Sequence, residues 1–323
     1  MELNNLINLK LTQESGQTSQ PPWQVVENSY CGLIEIANSP ILLKVSQNNI
    51  NSLKIDWELP ISNQSSSSID EIAIYEEIAN IFDFNFNLGE LYDFMGNDPQ
   101  LEPAIDFCKG LRLFIARDPF ECIISSICSA NNSIARWTKS IATISSKWGK
   151  SYEFLSGTFN SFPSSAILSE VYEDELIESG VNGDKGIEFC LNNLKSCGVG
   201  YRASYMKKAS EIINSEEIAI SDIFKMDYDE AFDTIMKLPG VGPKVADCIL
   251  LYGFGFNQAF PSDVWIKRIV SHLYFNGKDI PVSKVREFGM DKFGNYAGYV
   301  QLYLFHYARK SGLMDKLRKK YLY

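Results

Sequence analysis

Lys244 and Asp263 are the residues whose types and spacing most strongly indicate covalent chemistry. Lys244 directly follows a Gly- and Pro-rich turn, and Asp263 comes nineteen residues later. A lysine amine that has lost its proton is a nucleophile, and a carboxylate stabilises positive charge that develops on a neighbouring carbon. The pair is therefore a candidate nucleophile with a candidate charge-stabilising partner.

A Gly- and Pro-rich turn is predicted to join two helices. Residues Leu238–Lys244 read LPGVGPK and lie between two runs of apolar residues at helical spacing. Gly240 and Gly242 allow backbone N–H groups to approach an oxygen atom, and Pro243 suits the first position of the second helix. The positive end of that helix points to the same place, so we expect Gly240, Gly242 and Val245 to bind a phosphate. A tight turn between packed helices is the alternative.

The sequence around this turn resembles a known family. LPGVGPKVADC, beginning at Leu238, and AFPSDV, beginning at Ala259, resemble the signature of the helix-hairpin-helix (HhH-GPD) DNA glycosylase superfamily, most closely its 8-oxoguanine DNA glycosylase branch. The resemblance implies a bifunctional glycosylase and AP lyase of base excision repair, in which Lys244 forms a Schiff base and Asp263 offsets positive charge on the sugar. Asp263 is equally suited to cap the helix that begins at Val264. We expect the helix dipole and partial desolvation to lower the pKa of Lys244.

The same resemblance implies a pocket for an oxidised guanine, lined by Gly16, Cys248, Gln301 and Phe305. Gly16, within SGQ at 15–17, matches the family glycine whose carbonyl accepts the hydrogen that oxidation adds to N7, which separates 8-oxoguanine from guanine. The structural alternatives are a glycine in a surface turn, a small buried Cys248, and helix-core positions for Gln301 and Phe305. The implied partner is double-stranded DNA that contains 8-oxoguanine or formamidopyrimidine-guanine.

Two further segments match the family, DPFECIISSICSANNSIAR from Asp118 and CGVGYRA from Cys197. The residues in them that are expected to read the opposite base and fill the gap in the duplex are Asn131, Asn132, Arg136, Tyr201 and Arg202. Arginine offers only donors, which suit N3 and O2 of cytosine, and an asparagine carbonyl can accept the N4 hydrogen. The resemblance therefore implies a preference for lesions opposite cytosine. The alternatives are inter-helix turn residues for the asparagines, an i, i+4 packing pair of the tyrosines at 201 and 205, and phosphate contacts for the arginines.

The predicted fold class is α+β. Alternating patterns at 41–47 and 52–59, separated by two asparagines, predict antiparallel strands, whereas Asp118, Pro119 and Glu121 form the start signal of a helix. We expect an N-terminal antiparallel-sheet domain at 1–112. A mostly helical HhH-GPD glycosylase domain should follow at 113–323, with two helical subdomains and the DNA cleft between them.

The formal net charge of −10 is unusual for a protein that binds DNA, because neutralising phosphate supplies most non-specific affinity. Local basic clusters are nevertheless present at Lys267-Arg268, at Arg309-Lys310 and in the segment 316–320. We therefore expect modest, strongly salt-sensitive binding through one basic face.

Seven cysteines at irregular spacings do not form a disulfide framework, which favours a reducing compartment. No cysteine follows Cys248, so the four-cysteine iron–sulfur site of the endonuclease III branch is not expected. We expect no required cofactor and no catalytic metal, and leave open a structural cation held by backbone carbonyls of the hairpin. Because the sequence shows no signal peptide and no membrane-spanning run, we predict a location in the cytoplasm, at the nucleoid. We also predict that the protein is a monomer.

Three rival functions remain at this point. A non-enzymatic hairpin module would lack the pair formed by Lys244 and Asp263, and a monofunctional alkylpurine glycosylase would lack the lysine. An enzyme of the endonuclease III type would carry the cluster cysteines. At position 265 the 8-oxoguanine branch usually has a histidine that contacts phosphate, whereas this chain has Trp265. We therefore do not expect that phosphate contact in this protein.

Overall fold

A five-stranded antiparallel sheet occupies the N-terminal part of the chain, in the order β1-β5-β4-β3-β2. The computed structural model describes residues 1–16, 19–63, 70–174, 176–181, 184–189 and 192–313. The strands of this sheet are β1 (Glu2–Asn4), β2 (Gln24–Val26), β3 (Ser29–Ile36), β4 (Ser39–Asn49) and β5 (Ser52–Glu58). The predicted pair of strands is confirmed as β4 and β5, but the turn lies at 50–51 rather than at the two asparagines. Asn49 remains paired with Ser52, and its side-chain amide bonds to the Ser52 hydroxyl at 3.1 Å.

Helices dominate the remainder of the chain, as predicted for an α+β protein with a helical HhH-GPD part. They are α1 (Leu9–Glu14), α2 (Glu71–Ile81), α3 (Leu88–Gly96), α4 (Glu102–Phe107), α5 (Pro119–Ser129), α6 (Ile134–Trp148), α7 (Ser165–Glu170), α8 (Arg202–Asn214), α9 (Ile220–Ile223), α10 (Tyr228–Ile235), α11 (Pro243–Phe254), α12 (Val264–Tyr274), α13 (Val282–Phe293) and α14 (Ala297–Lys310). Two small antiparallel hairpins are inserted, β6 (Ser151–Phe154) with β7 (Gly157–Asn160) and β8 (Leu176–Val181) with β9 (Asp184–Phe189). No helix among the described residues is long and apolar enough to cross a membrane.

The buried side chains of the described residues form two main cores, one large and helical and one smaller beneath the sheet, and a third small cluster of Cys31, Leu42, Phe154 and Phe159. Leu88 and Leu111 already belong to the helical core, whereas Phe114 packs under the sheet between Trp23 and Phe82. The two cores therefore interlock along the stretch from α3 to α5. The domain boundary expected at 112/113 stays a prediction.

The predicted helix at Asp118 is present, but its expected capping box is incomplete. Asp118 caps α5 by accepting a hydrogen bond from Phe120 N at 2.9 Å. The backbone N–H of Glu121 bonds to the Asp118 carboxylate, but the Glu121 side chain makes no hydrogen bond to a described residue and lines a cavity of about 380 Å³ between the sheet and α6. Desolvation and the neighbouring charge of Asp118 raise the pKa of Glu121 to about 8.

Candidate active site

Lys244 and Asp263 line one cavity of about 390 Å³. Gly16, Cys248 and Phe305 line the same cavity, although they come from the N-terminal segment, α11 and α14. The structure thus brings the predicted amine, the predicted carboxylate and three of the four predicted base-pocket residues to one place. The cavity is open on one side, and aromatic side chains line it beside the polar groups, as is common in small-molecule sites.

Lys244 lies in the first turn of α11, where its amine contacts the Cys248 thiol one turn later. The charge interaction with the Cys248 sulfur raises the pKa of Lys244 most, and the interaction with Asp263 raises it further. Together these interactions outweigh burial, which lowers the pKa. The expectation of a lowered lysine pKa is therefore wrong in this form of the protein. The expectation rested on the helix dipole and desolvation, but the Cys248 sulfur and the Asp263 carboxylate stabilise the ammonium form of Lys244 more strongly. Burial in turn raises the pKa of the Cys248 thiol, and Lys244 opposes that change.

Asp263 is the N-cap of α12, as the sequence predicted. One carboxylate oxygen, Oδ1, accepts hydrogen bonds from Trp265 N at 2.8 Å and Ile266 N at 2.9 Å. These bonds fix the side chain beside the cavity while Oδ2 makes no hydrogen bond to a described residue. Capping and charge stabilisation are therefore compatible functions of this aspartate.

The hairpin between α10 and α11 has the predicted form. Asp227 caps α10 by accepting from Glu230 N at 2.9 Å, and Pro243 occupies the first turn of α11. The N-cap of α11 is Gly242, which has no side chain to satisfy the N–H groups at the helix start. The N–H of Val245, by contrast, already donates to the Gly242 carbonyl at 2.9 Å. The tip of the hairpin is thus open to an anion mainly at Gly242 and Lys244, and the phosphate contacts of Gly240, Gly242 and Val245 stay predictions.

Gly16 and α14 form the wall opposite the hairpin. Gly16 has a left-handed backbone with φ of 73°, and a Cβ atom built on it would lie 2.5 Å from Cδ1 of Ile134. A residue other than glycine therefore fits poorly at this position. Gln301 is buried, and its Nε2 donates to the Pro261 carbonyl at 3.0 Å, which ties α14 to the loop before Asp263. Gln301 does not line the cavity in this conformation, and its contact with a base stays a prediction.

Asn131 and Asn132 occupy the tight turn between α5 and α6. Asn131 is exposed and has a left-handed backbone with φ of 50°, and its amide makes no hydrogen bond to the described residues. Asn132 lines the cavity, donates from Nδ2 to the Cys128 carbonyl at 3.1 Å and accepts from Ser133 N at 2.9 Å. Of these two asparagines, only Asn131 has an exposed amide without a hydrogen-bond partner among the described residues.

Arg202 is buried rather than displayed at the surface. Its guanidinium donates to the carbonyls of Ala130 at 2.7 Å, Asn131 at 2.8 Å and Val199 at 3.2 Å. These bonds hold the turn that presents Asn131. The sequence predicts only base reading or phosphate binding for Arg202, and does not predict this structural function. Arg136 is exposed on α6, apart from the cavity, so the geometry leaves it open to either contact.

Tyr201 projects from the start of α8 and is 57% exposed. Its ring meets that of Tyr205 edge to face at 6.2 Å, and the Arg202 guanidinium lies 4.5 Å from the Tyr201 ring centroid. The packing pair considered from the sequence is therefore present. It leaves most of Tyr201 accessible, so its use as a wedge between bases stays a prediction.

The expected basic face is only partly free. Lys267 pairs with Asp279 at 2.7 Å, and Arg268 lies 5.8 Å from the Trp265 ring. Arg309 and Lys310 are exposed at the end of α14. The basic segment 316–320, together with Gln17 and Cys190, lies outside the described residues.

Sequence reasoning missed several residues of the cavity wall, chiefly Ile134, Trp137, Tyr252 and Arg309. Trp137 and Tyr252 follow ordinary apolar helix patterns, so nothing in their spacing distinguishes them from core residues. Arg309 follows Phe305 by four residues, and this spacing on one helix face was the available signal.

Comparison with known families matches two adjoining models to the chain. The 8-oxoguanine DNA glycosylase N-terminal domain matches residues 2–123, and the HhH-GPD superfamily base excision DNA repair protein matches residues 124–294. The chain belongs to the 8-oxoguanine DNA glycosylase family. It is thereby an enzyme of the DNA N-glycosylase/lyase class, and the predicted fold and family are confirmed.

Individual relatives agree with this membership. The chain is 44% identical over 312 residues to a probable N-glycosylase/DNA lyase of Methanothermobacter thermautotrophicus, covering 96% of each protein. It is 31% identical to the N-glycosylase/DNA lyase OGG1 of Arabidopsis thaliana over 68% of this chain and 58% of that one. A solved 8-oxoguanine glycosylase/lyase of Clostridium acetobutylicum, in complex with double-stranded DNA containing cytosine opposite 8-oxoG, superposes with a TM-score of 0.76 and 30% identity. That match covers 95% of this chain and 93% of the other.

Proposed function

We propose that this family member extrudes an oxidised guanine from duplex DNA, cleaves its N-glycosidic bond and then cleaves the strand through a Schiff base on Lys244. The observation that carries the proposal is the shared cavity, in which Lys244 and Asp263 meet Gly16, Cys248 and Phe305. Extrusion is required because the bond to be cleaved cannot be reached inside a stacked duplex.

The chemistry follows from Lys244 and Asp263. The bond between C1′ and N9 breaks with its electron pair moving to the base, and Oδ2 of Asp263 stabilises the cationic sugar. The neutral amine of Lys244 then bonds to C1′, loses a proton and opens the sugar to an iminium ion. Water then accepts a C2′ proton, the C–H electron pair forms the double bond between C2′ and C3′, and the 3′ phosphate leaves with the C3′–O electron pair by β-elimination. Because the lysine pKa is raised, the amine must give up a proton before it attacks, and the departing base anion is a suitable acceptor.

The substrate assignment rests on the position of Gly16. A backbone carbonyl at this wall accepts the N7 hydrogen of 8-oxoguanine, whereas N7 of guanine offers only a lone pair. Formamidopyrimidine-guanine keeps an N–H at the corresponding atom, so we extend the proposal to it. Preference for cytosine as the opposite base is supported by Asn131, whose free amide can accept the N4 hydrogen, and by the exposed Arg136. The Clostridium relative, solved with cytosine opposite 8-oxoG, is in keeping with this preference.

We further propose that the enzyme binds DNA as a monomer, works at the nucleoid in a reducing compartment and needs no metal or iron–sulfur cluster. The steps above use only Lys244 and Asp263, and the chain has no cysteine after Cys248. Full excision activity in EDTA is expected, and a loss of activity would contradict this part of the proposal.

Borohydride trapping on a duplex with 8-oxoguanine opposite cytosine tests the mechanism. Reduction of the Schiff base should link wild-type protein to DNA, and Lys244→Gln should abolish the adduct while it still binds the lesion. Lys237→Gln is the matched control, because Lys237 is an exposed lysine at the end of the first hairpin helix. An adduct at wild-type yield in the Lys244→Gln protein would show that another amine is the nucleophile.

A further inference from the structure

Arg309 lines the lesion cavity from the last turn of α14. Its guanidinium carbon lies 5.0 Å from the ring centroid of Phe305, one helical turn earlier. A cation over an aromatic face is held with a preferred orientation at little cost. The guanidinium is therefore placed within reach of any base that contacts Phe305.

The same guanidinium lies beside Gly16. A Cβ atom built on Gly16 would be 3.1 Å from Nη1 of Arg309, so the arginine covers the side of the glycine where another residue would carry its side chain. The cavity wall thus places a backbone carbonyl segment and a guanidinium next to each other. An acceptor and a set of donors are adjacent.

The guanidinium of Arg309 has no hydrogen-bond or ion-pair partner among the described residues. Lys267 on α12, by contrast, is paired with Asp279 at 2.7 Å. A guanidinium carries five N–H groups and no acceptor, so it suits a ligand that presents oxygen atoms.

We propose that Arg309 is a specificity residue that donates a hydrogen bond to a carbonyl oxygen flanking N7 of the extruded purine. The inference rests on the proposed function and deepens it. Oxidised guanine presents an N–H at N7 between two carbonyl oxygens, at C6 and C8, so one acceptor beside one donor group is complementary to that edge. Guanine has no oxygen at C8 and no hydrogen at N7, and matches this wall less well.

Arg309 also acts on the cleavage step. When the bond between C1′ and N9 breaks, its electron pair moves to the base and the charge spreads onto the carbonyl oxygen at C8. A guanidinium at that oxygen stabilises the departing anion more than the neutral base. Lesion binding and base release therefore both depend on this residue.

A phosphate contact is the competing assignment, because an exposed arginine at the mouth of a DNA site commonly binds the backbone. The two assignments separate in a binding experiment with Lys244→Gln protein, which cannot turn over. Affinity is measured for three duplexes that carry 8-oxoguanine, guanine or a tetrahydrofuran abasic analogue opposite cytosine, each at several salt concentrations. The added variants are Arg309→Leu, Arg309→Lys and, as the matched control, Lys310→Leu, which removes a neighbouring exposed charge of the same helix.

The proposal predicts that Arg309→Leu weakens binding of the 8-oxoguanine duplex about 10-fold and changes binding of the abasic duplex less than about 2-fold. Arg309→Lys should keep abasic binding and recover part of the lesion affinity, and Lys310→Leu should affect both duplexes equally. Equal losses on both duplexes in Arg309→Leu, with a shallower salt dependence, would assign a phosphate contact and overturn the proposal, as would no loss at all. A parent protein that does not prefer 8-oxoguanine over guanine would overturn the proposed function itself. An unchanged preference in Arg309→Leu would overturn only this inference.

Discussion

The ring of Tyr205 lies directly against the backbone of Gly240. A Cβ atom built on Gly240 would be 2.7 Å from Cδ2 of the tyrosine, and the glycine has a left-handed φ of 80°. Tyr205 also meets the exposed ring of Tyr201. One side chain therefore connects the tip of the hairpin to the aromatic residue that is expected to enter the duplex.

This contact predicts different outcomes for the two hairpin glycines. Gly240→Ala should destabilise the fold by about 2 kcal/mol or more, because the methyl group meets Tyr205 and the backbone conformation is strained. Gly242→Ala should fold nearly normally, since no atom lies within 4 Å of its Cβ position, but should bind undamaged duplex more weakly if a phosphate approaches there. Thermal unfolding and salt-dependent DNA binding measure both. Normal DNA affinity in Gly242→Ala would argue against a phosphate at the hairpin.

The raised pKa of Lys244 predicts that Schiff-base formation accelerates with increasing pH. The neutral amine is the nucleophile, and a raised pKa keeps most of the lysine protonated near neutrality. Cys248→Ala removes the largest cause of that shift, so the rise in rate should move to lower pH. Single-turnover borohydride trapping from pH 6 to 10 gives the profile. A profile that stays in place would show that Cys248 does not control the lysine.

Asp263→Asn should lower base excision by about 100-fold or more while the melting temperature changes little. An asparagine caps a helix about as well as an aspartate, but it carries no charge to stabilise the cationic sugar. Excision of 8-oxoguanine and thermal unfolding are measured on the same preparation. Full activity would reduce Asp263 to its capping function.

Glu121→Gln should stabilise the protein at alkaline pH by about 2 kcal/mol or more. The folded pKa of Glu121, about 8, exceeds the ordinary value of 4.5, so folding keeps a proton on this carboxyl. Its contribution to stability is full below pH 4.5 and is lost as the pH rises through 8, and glutamine avoids that loss. Denaturant unfolding at pH 4.5, 7 and 9 should show a growing advantage for the variant. The same substitution at the exposed Glu217 is the control and should show none.

Alanine substitutions of Arg136 and Arg202, the two arginines expected to contact the opposite base, should differ in their effect on protein stability. Arg136→Ala should unfold normally and lose discrimination for cytosine by about 1–3 kcal/mol, because Arg136 is exposed. Arg202→Ala should also lower the melting temperature, because three carbonyls lose their donor. Single-turnover excision of 8-oxoguanine opposite each of the four bases measures discrimination. Equal wild-type rates opposite all four bases would exclude cytosine readout.

The helix starts at Asp118 and Asp263 could be predicted because a cap bonds to backbone N–H groups two or three residues away. The same locality made the hairpin between α10 and α11 recognisable from its glycines and prolines. The family resemblance then supplied the expected roles of Lys244 and Asp263, and the fold confirms that these two residues share a cavity.

Contacts between distant residues could not be predicted in this way. Arg202 bonds to Ala130 and Asn131 across about seventy residues of sequence, so its burial depends on how α8 packs against α5. The direction of the pKa shift of Lys244 depends on which charges surround the amine, not on its position in a helix. Glu121 likewise carries a capping-box pattern but turns into a cavity that only the packed sheet creates.

The joining of Gly16 to α14 has a consequence for the order in which the protein becomes active during synthesis. A ribosome adds about 5–20 residues per second and releases the N-terminal part first. The residues of the sheet and of the hairpin are made before those of α14, and until α14 is made Gly16 faces no Phe305 and no Arg309. A nascent chain can therefore hold the lysine and the aspartate without a chamber to select a base. Under the proposed function, selectivity for the lesion therefore requires that α14 has packed against the segment that carries Gly16.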